Sequence, residues 1–261
     1  METILIINKR NPGSLFHYAH FICDCLYTEI INDIHINYKK VVRIKNIDQT
    51  LGNFVKIYEE VMKIPSIEMD VAEFYKQNIT PIILDPKEKY TDITNINKFR
   101  EYIFNIYNIN SLEYLDNYPE IILIKRGGRI QLIDDEELKV INTNISTGKE
   151  RREIKDIDKI HKYLNDKYTN KFQTILLEDK SFEEQVKLFN NAKLIITAHG
   201  AAMSNLFFCK KNTTVIEITC GVHWPFFDVI SKQLELKHIK IDNNNSDHII
   251  DVISLQSSSL H

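Results

Sequence analysis

The chain has 261 residues, a net charge of −3 at neutral pH and four cysteines. This length allows one large domain or two small ones, and the negative charge argues against a protein that coats nucleic acid or an anionic membrane. No apolar run is long enough to span a bilayer, and the first residues lack the pattern of a signal peptide. We therefore expect a cytoplasmic protein with no integral membrane segment, whose cysteines are free thiols.

The first predicted elements are a strand over residues 3–7, either the first strand of a sheet or an edge strand, and a helix that begins after Ser14. His17, His20 and Asp24 follow the edge of the apolar stripe of this helix and point the same way. A carboxylate four residues from a histidine can orient the imidazole and fix its tautomer, as a general base requires. The alternative is a histidine at the edge of the core that is satisfied by its own helix.

The rest of the first half has the pattern of a small α/β layer. Strands are predicted at residues 41–44 and 81–86, and helices at residues 49–63 and 94–107. A polar stretch that ends at Pro119 then separates this layer from the second half. The sequence predicts two domains, residues 1–112 and residues 113–261.

A strand over residues 120–125 opens the second half and leads into Arg126, two glycines and Arg129. Two arginines around a flexible turn can form a fork for a diphosphate, because a guanidinium group suits bidentate contact with phosphate. A hairpin turn with solvated arginines is the alternative. Arg151 and Arg152, which precede the next helix, are expected on a solvated face.

Asp156 and Asp158 form a D-x-D pattern, which is a known metal-binding motif. They lie inside a predicted amphipathic helix over residues 154–168, so we reject them as a metal site. The cysteines lack the spacing of metal ligands. The sequence therefore predicts no metal centre.

The most informative stretch covers residues 174–218. A short apolar strand is followed by Ser181 and Glu184, which have the spacing of a capping box, and by a helix. Strands at residues 194–198 and 214–218 complete the unit. Strands that alternate with helices of this length indicate a parallel sheet. In such sheets ligands bind beyond the carboxyl ends of the strands, which is where His199, Gly200 and Glu217 are expected.

His199, Gly200 and Ala201 follow the second of these strands directly. Gly200 allows a sharp turn and a close approach of the backbone to a ligand, and a helix that begins just after it would direct its positive end at an anion. The histidine could donate to a phosphate oxygen or to a sugar hydroxyl. The alternative is an ordinary turn beside a satisfied buried imidazole.

The spacing of this segment closely resembles the C-terminal half of glycosyltransferase family 61. The residues that carry the resemblance are Glu178, Ser181, Phe182, Glu184, Gln185, Leu188, Phe189, Ala192, Ile195, Ile196, His199, Gly200, Ala201, Asn205 and Phe208. Arg126 and Arg129 resemble the upstream R-x-x-R segment of the family, and an acidic stretch at residues 134–138 resembles its NE-x-E stretch without the asparagine. His20 and Asp24 match the H-x-x-x-D helix of the family.

The resemblance implies a GT-B-like α/β fold of two Rossmann-like lobes with parallel sheets, of which the N-terminal lobe is small and faces the acceptor. It implies inverting transfer of a sugar from a nucleotide-sugar to a hydroxyl of a glycan or protein acceptor, with a UDP-linked donor such as UDP-N-acetylglucosamine or UDP-xylose. No obligatory cofactor or metal is implied, because fixed cations and dipoles would stabilise the leaving diphosphate.

The resemblance also implies roles for individual residues. Arg126, Arg129 and His199, with the backbone of Gly200 and Ala201, would neutralise the diphosphate. Glu178 would accept from a ribose or sugar hydroxyl, and Asn205 would fix the turn or the donor. Glu217 is assigned to the donor site by its place at the end of its strand and not by the resemblance. His20, oriented by Asp24, would be the base that takes the proton of the acceptor hydroxyl.

Two functions of other classes remain open at this point. One is a non-catalytic module that binds a nucleotide-sugar or a glycan with the same fold. The other is a hydrolase that uses His199 and Gly200 near an oxyanion, although the chain has no G-x-S-x-G nucleophile elbow.

Overall fold

A computed structural model describes residues 3–9, 14–78, 80–86, 89–127 and 152–256 of the chain. These residues divide into two compact units, the first ending at Asn108 and the second beginning at Ile109. The sequence placed this boundary four residues later, after residue 112. Both units are α/β with purely parallel sheets, as the sequence predicted.

The first unit contains a four-stranded parallel sheet in the order β3-β2-β1-β4. Its strands are β1 (Thr3–Asn8), β2 (Lys40–Ile44), β3 (Ser66–Met69) and β4 (Ile82–Leu84). β1 pairs with both β2 and β4, so it is an interior strand and not an edge strand. Its run of buried apolar residues suits a strand that is covered on both faces. The sequence order changes direction between β1 and β4, which is the position where such sheets bind ligands.

The helices of the first unit include one segment of mixed geometry. Their bounds are Tyr18–His20, Phe21–Leu26, Tyr27–Ile31, Ile34–Asn37, Val55–Met62, Val71–Lys76 and Ile93–Ile106. The segment Phe21–Leu26 is π-helical, whereas the sequence predicted one continuous α-helical stripe. The carbonyl oxygen of Asp24 accepts from the Thr28 hydroxyl at 2.7 Å and from the Asn8 amide at 2.9 Å. These side chains satisfy the backbone where the helix is widened.

A buried ion pair joins β2 to this helical segment. Arg43 Nη2 lies 2.6 Å from Glu29 Oε1, and both side chains are fully buried. Asn8 and Ser66 accept further hydrogen bonds from the guanidinium at 2.6 and 2.9 Å, and the Tyr58 hydroxyl donates to Glu29 at 2.7 Å. The charges are therefore both paired and hydrogen-bonded, as buried charges must be.

The second unit contains a five-stranded parallel sheet in the order β6-β5-β7-β8-β9. Its strands are β5 (Ile121–Lys125), β6 (Phe172–Leu176), β7 (Leu194–Ala198), β8 (Thr214–Ile218) and β9 (Lys237–Ile241). Counted within the unit this is the order 2-1-3-4-5 of a doubly wound sheet. The direction of winding reverses between β5 and β7, so the carboxyl ends of these two strands mark the expected ligand site.

Helices cover both faces of this sheet. Their bounds are Ile157–Tyr168, Phe182–Asn191, Phe226–Gln233 and Ser246–Gln256, with a 3₁₀ helix at Ala201–Phe208. Apolar residues of the first and last of these helices pack with Ile196 and Ile216 in one core. The predicted capping box is confirmed: the Ser181 hydroxyl accepts from the Glu184 N–H, and the Glu184 carboxylate accepts from the Ser181 N–H.

Strand register places Glu217 and His238 on the face opposite this core. Glu217 pairs with Thr197 of β7, and His238 pairs with Val215, two residues before Glu217. Side chains two residues apart on a strand share a face. Of the helices in the described ranges, none is long and apolar enough to cross a bilayer.

Candidate functional site

Arg126 and Arg152 converge on the turn that follows β7. Arg126 comes directly after β5, and its Nη2 donates to the carbonyl oxygen of His199 at 3.1 Å. Arg152 Nη1 donates to the same oxygen at 3.2 Å. Two guanidinium groups are thus held at the reversal point of the sheet. Positive charges placed side by side in this way form an attractive site for a phosphate or diphosphate.

The positive field of the two arginines also reaches Cys220, just past the end of β8. Burial raises the pKa of the Cys220 thiol, and the charges of Arg126 and Arg152 oppose that rise. The two guanidinium groups therefore act electrostatically as far as the end of β8.

Gly200 makes the close approach of Arg126 possible. Its φ of +148° and ψ of −158° lie in a region that is almost exclusive to glycine. A Cβ atom at this position would lie 1.8 Å from Nη2 of Arg126. The guanidinium therefore occupies the space that any other residue would fill, and the 3₁₀ helix begins directly afterwards at Ala201.

Glu178 secures the turn after β5. Its Oε1 accepts from the backbone N–H of Gly127 at 3.1 Å, and a Cβ on Gly127 would lie 3.1 Å from the same carboxylate. Glu178 itself lies in a 3₁₀ turn that follows β6. The carboxylate thus ties together the ends of two neighbouring strands beside Arg126.

His199 is buried, and its ring is fixed by Glu217. Nδ1 of His199 lies 2.5 Å from Oε1 of Glu217, and the ring packs edge-on against Phe227 with 5.5 Å between centroids. His238 lies on the other side of Glu217, with Nε2 2.8 Å from Oε2. Burial acts to raise the pKa of Glu217, but the two histidines outweigh it and lower the pKa to about 2. Glu217 is therefore an ionised carboxylate between two imidazoles.

Asp228 extends this cluster towards the surface. Its Oδ1 lies 3.4 Å from Nδ1 of His238, and its Oδ2 lies 2.6 Å from Nζ of Lys240. Glu217, Asp228 and His238 place ligand atoms within 4.8 Å of one another, which is close enough to hold a metal ion. In this structure, however, Lys240 already neutralises Asp228.

The first unit carries a second group, at His20. Nδ1 of His20 lies 2.6 Å from Oδ2 of Asp24, while the Tyr90 hydroxyl lies 3.0 Å from the other oxygen and 2.6 Å from the carbonyl of Cys23. Burial raises the pKa of Tyr90 well above its usual value, so this hydroxyl donates and does not ionise. Asp24 is buried, whereas the His20 side chain keeps 24% of its surface exposed. A partly exposed imidazole held by a buried carboxylate is the arrangement of a general base.

Comparison with known families decides the class of the protein. The family model Glycosyltransferase 61 matches residues 18–216, which is well over half of the chain. The chain belongs to glycosyltransferase family 61. Its substrates are accordingly a sugar donor and an acceptor. A search of curated proteins found no match to the chain.

The family-61 match covers most of the groups described above but not all of them. It begins two residues before His20 and ends at Ile216, one residue before Glu217. His238 and Asp228 also lie beyond it. The partners of the His199 ring are therefore features that the match does not describe.

The structure brings together Arg126, His199 and Gly200, which the sequence assigned to the donor site of this family-61 chain. Glu217 joins them through the His199 ring. Ala201 opens the 3₁₀ helix beside them. Arg129, Arg151 and the acidic stretch at residues 134–138 lie outside the described residues.

Glu178 and Asn205 have structural partners. Glu178 binds the Gly127 N–H, and the buried Asn205 amide donates to Gln185 Oε1 at 3.1 Å. Gln185 in turn donates to the carbonyl oxygens of Leu177 and Lys180. Asn205 thus links the 3₁₀ helix to the capping turn, which supports a role in fixing the turn.

Three residues of these groups were missed by sequence reasoning. Arg152 was predicted on a solvated face, and this is wrong because its guanidinium binds the His199 carbonyl. Nothing in the sequence distinguished Arg152 from Arg151. His238 and Tyr90 come from segments without a motif. His238 could have been found from its position in β9, the strand that pairs with β8 and therefore brings its side chains close to Glu217.

Proposed function

We propose that the protein is an inverting glycosyltransferase that transfers a sugar from a UDP-linked donor to a hydroxyl of a glycan or protein acceptor. The observation that carries the proposal is the convergence of Arg126 and Arg152 on the His199 carbonyl at the reversal point of the second sheet. A nucleotide diphosphate is the ligand whose charge and size match two adjacent guanidinium groups. UDP-N-acetylglucosamine and UDP-xylose are the candidate donors.

The proposed reaction is a direct displacement at the anomeric carbon. The acceptor oxygen forms a bond to that carbon while the bond from carbon to the phosphate oxygen breaks, and UDP leaves with the electron pair. Arg126, Arg152 and the backbone beside Gly200 stabilise the charge that develops on the diphosphate. The proposal includes a GT-B arrangement of the two units and transfer without a divalent metal.

His20 is the proposed base. The Asp24 carboxylate accepts from Nδ1 of His20, so Nε2 is the nitrogen that takes the proton of the acceptor hydroxyl. The imidazolium that forms is then stabilised by the buried carboxylate. Tyr90 holds the other oxygen of Asp24 and so keeps the carboxylate in place.

Calorimetry with UDP, GDP and CMP, in the presence of EDTA, tests the donor site. UDP is expected to bind, and Arg126→Ala and Arg152→Ala are each expected to weaken the affinity by about 10- to 100-fold, the value of a hydrogen bond to a charged group. Arg100→Ala is the matched control, because Arg100 lies over the Phe104 ring in the first unit. If none of the nucleotides binds, or if binding requires a divalent metal, the proposal is wrong as stated.

An assay of UDP release from UDP-sugars separates the enzyme from a binding module of the same fold. An enzyme is expected to release UDP slowly from UDP-sugars even when water replaces the acceptor. UDP-sugar binding without release of UDP, with or without glycan acceptors, would favour the non-catalytic module.

A further inference from the structure

His199, Glu217 and His238 form a continuous line of three side chains behind the proposed phosphate site. Oε1 of Glu217 forms a hydrogen bond with Nδ1 of His199 at 2.5 Å. Oε2 lies 2.8 Å from Nε2 of His238, a close contact that is not aligned as a hydrogen bond. Glu217 has 1% of its surface exposed. The carboxylate is therefore enclosed by the two imidazoles and not by water.

The hydrogen bond to Glu217 fixes the proton on the His199 ring. An ionised carboxylate only accepts hydrogen bonds, so the ring nitrogen that is bonded to it carries a proton. For His199 this nitrogen is Nδ1. Among the described residues, the hydrogen-bond partner of the His199 ring is Glu217, and Nε2 is left as the nitrogen that a ligand would meet.

We propose that His238 is a positioning residue for the donor site. Its close contact with Oε2 of Glu217 limits the rotation of the carboxylate and keeps Oε1 on His199, so that the His199 ring has Nδ1 protonated and presents Nε2 to the diphosphate. The inference rests on the proposed function, because the ligand of His199 is the diphosphate of that function. His238 acts through Glu217 and does not itself touch the donor.

Loss of His238 is expected to disturb the His199 ring because it would change the surroundings of the second carboxylate oxygen of Glu217, Oε2. Without His238, Oε2 of the buried Glu217 carboxylate would lose the imidazole that lies 2.8 Å away, and a buried charge without a polar neighbour is costly. The carboxylate would then rotate, take up a proton or admit water. Each of these changes releases the hold on Nδ1 of His199.

Nitrogen-15 NMR of the imidazole rings tests the positioning directly. At about pH 8, where an ordinary histidine is neutral, wild-type His199 is expected to show a protonated Nδ1 and an unprotonated Nε2. Its signals among the nine histidines are assigned with His199→Gln. A wild-type ring with its proton on Nε2 overturns the proposal, and this measurement needs no nucleotide.

Variants of His238 supply the second test. In His238→Phe the His199 ring is expected to populate both tautomers, and the affinity for UDP is expected to fall about tenfold, the loss of one charge-assisted hydrogen bond. His238→Gln keeps an amide N–H near the position of Nε2 and is expected to restore both properties. Lys240→Gln, which removes only the outer partner of Asp228, is expected to leave both unchanged.

The outcomes separate this inference from the proposed function. If wild-type protein binds no nucleotide, the proposed function fails, while the ring spectra still decide whether His238 positions His199. An unchanged His199 tautomer in a folded His238→Phe, or an altered tautomer with unchanged UDP affinity, overturns the inference. So does stoichiometric binding of Zn²⁺ or Mn²⁺ to Glu217, Asp228 and His238, because the cluster would then be a metal site.

Discussion

The His20 imidazole and the Asp24 carboxylate are joined by a 2.6 Å contact within one turn of the first long helical segment. Asp24 lies in the π-helical part of that segment, and Tyr90 holds its second oxygen. π-Helical turns occur frequently at functional sites, where they place a side chain that a regular helix would direct elsewhere. The π-helical backbone thus positions the buried Asp24 carboxylate beside His20, and the protonated Tyr90 hydroxyl binds its other oxygen.

His20→Gln is expected to slow turnover strongly and to leave donor binding intact. A general base contributes about 10²- to 10⁴-fold to a rate, so the release of UDP from a UDP-sugar should fall by that factor while the Kd for UDP stays unchanged. Asp24→Asn is expected to lower the rate as well, because an amide can present its N–H to Nδ1 and reverse the tautomer.

His248→Gln is the control for this substitution, since His248 is an exposed residue of the last helix. It should change neither rate nor affinity. A His20→Gln protein that retains full turnover would show that another group takes the proton.

Gly200→Ala is expected to weaken UDP binding more than it weakens the fold. The new methyl group would displace the Arg126 guanidinium, which is the flexible end of its side chain and moves at little cost. The backbone strain at this φ adds about 1–3 kcal/mol of destabilisation. Isothermal calorimetry with UDP and thermal unfolding measure the two effects separately.

Gly221→Ala is the matched control, because Gly221 also has a positive φ, of +77°, but a Cβ there would meet open space. It should show backbone strain without loss of UDP affinity. Equal losses of affinity in the two variants would mean that strain, and not the position of Arg126, controls the site.

The second unit was predictable from sequence because its signals are local. The strands at residues 194–198 and 214–218 were predicted at the bounds that the structure shows, since unbroken apolar runs suit strands covered on both faces. The capping box at Ser181 marked the start of the helix Phe182–Asn191 that precedes them. The position of His199 and Gly200 at the end of a strand followed from the same pattern.

The first unit was less predictable because its defining features depend on contacts distant in sequence. The strand Ser66–Met69 and the helix Val71–Lys76 were not predicted, since each is short and only partly buried. The π-helical stretch depends on Asn8, whose amide reaches the Asp24 carbonyl across 16 positions of sequence. The same limit applies in the second unit to Arg152, which reaches the His199 carbonyl across 47 positions. Periodicity does not report such contacts.

The buried pair of Arg43 and Glu29 is expected to dominate the stability of the first unit. Arg43→Met leaves Glu29 as a buried charge without its cation, which typically costs about 3–5 kcal/mol. Chemical denaturation should therefore show a large loss in the free energy of unfolding. Replacing both residues, as in Arg43→Met with Glu29→Leu, is expected to recover much of that loss.

Lys211→Met provides the comparison for an exposed pair, since Lys211 and Glu235 lie 2.7 Å apart with more than half of each side chain exposed. Its effect should stay within about 1 kcal/mol. Comparable losses for Arg43→Met and Lys211→Met would show that the buried network is not coupled to folding.

Glu217 is expected to make the second unit sensitive to acid. Its pKa falls from 4.5 to about 2 on folding, so the folded protein binds fewer protons than the unfolded chain between these values. The resulting stabilisation, about 3 kcal/mol, is fully present above pH 4.5 and is lost as the pH falls towards 2. Denaturation of wild type and Glu217→Gln as a function of pH measures it. The two stability curves should converge in this window, because protonation makes the wild-type carboxyl as neutral as the amide. A constant difference between the curves would show that the histidines do not hold the Glu217 charge.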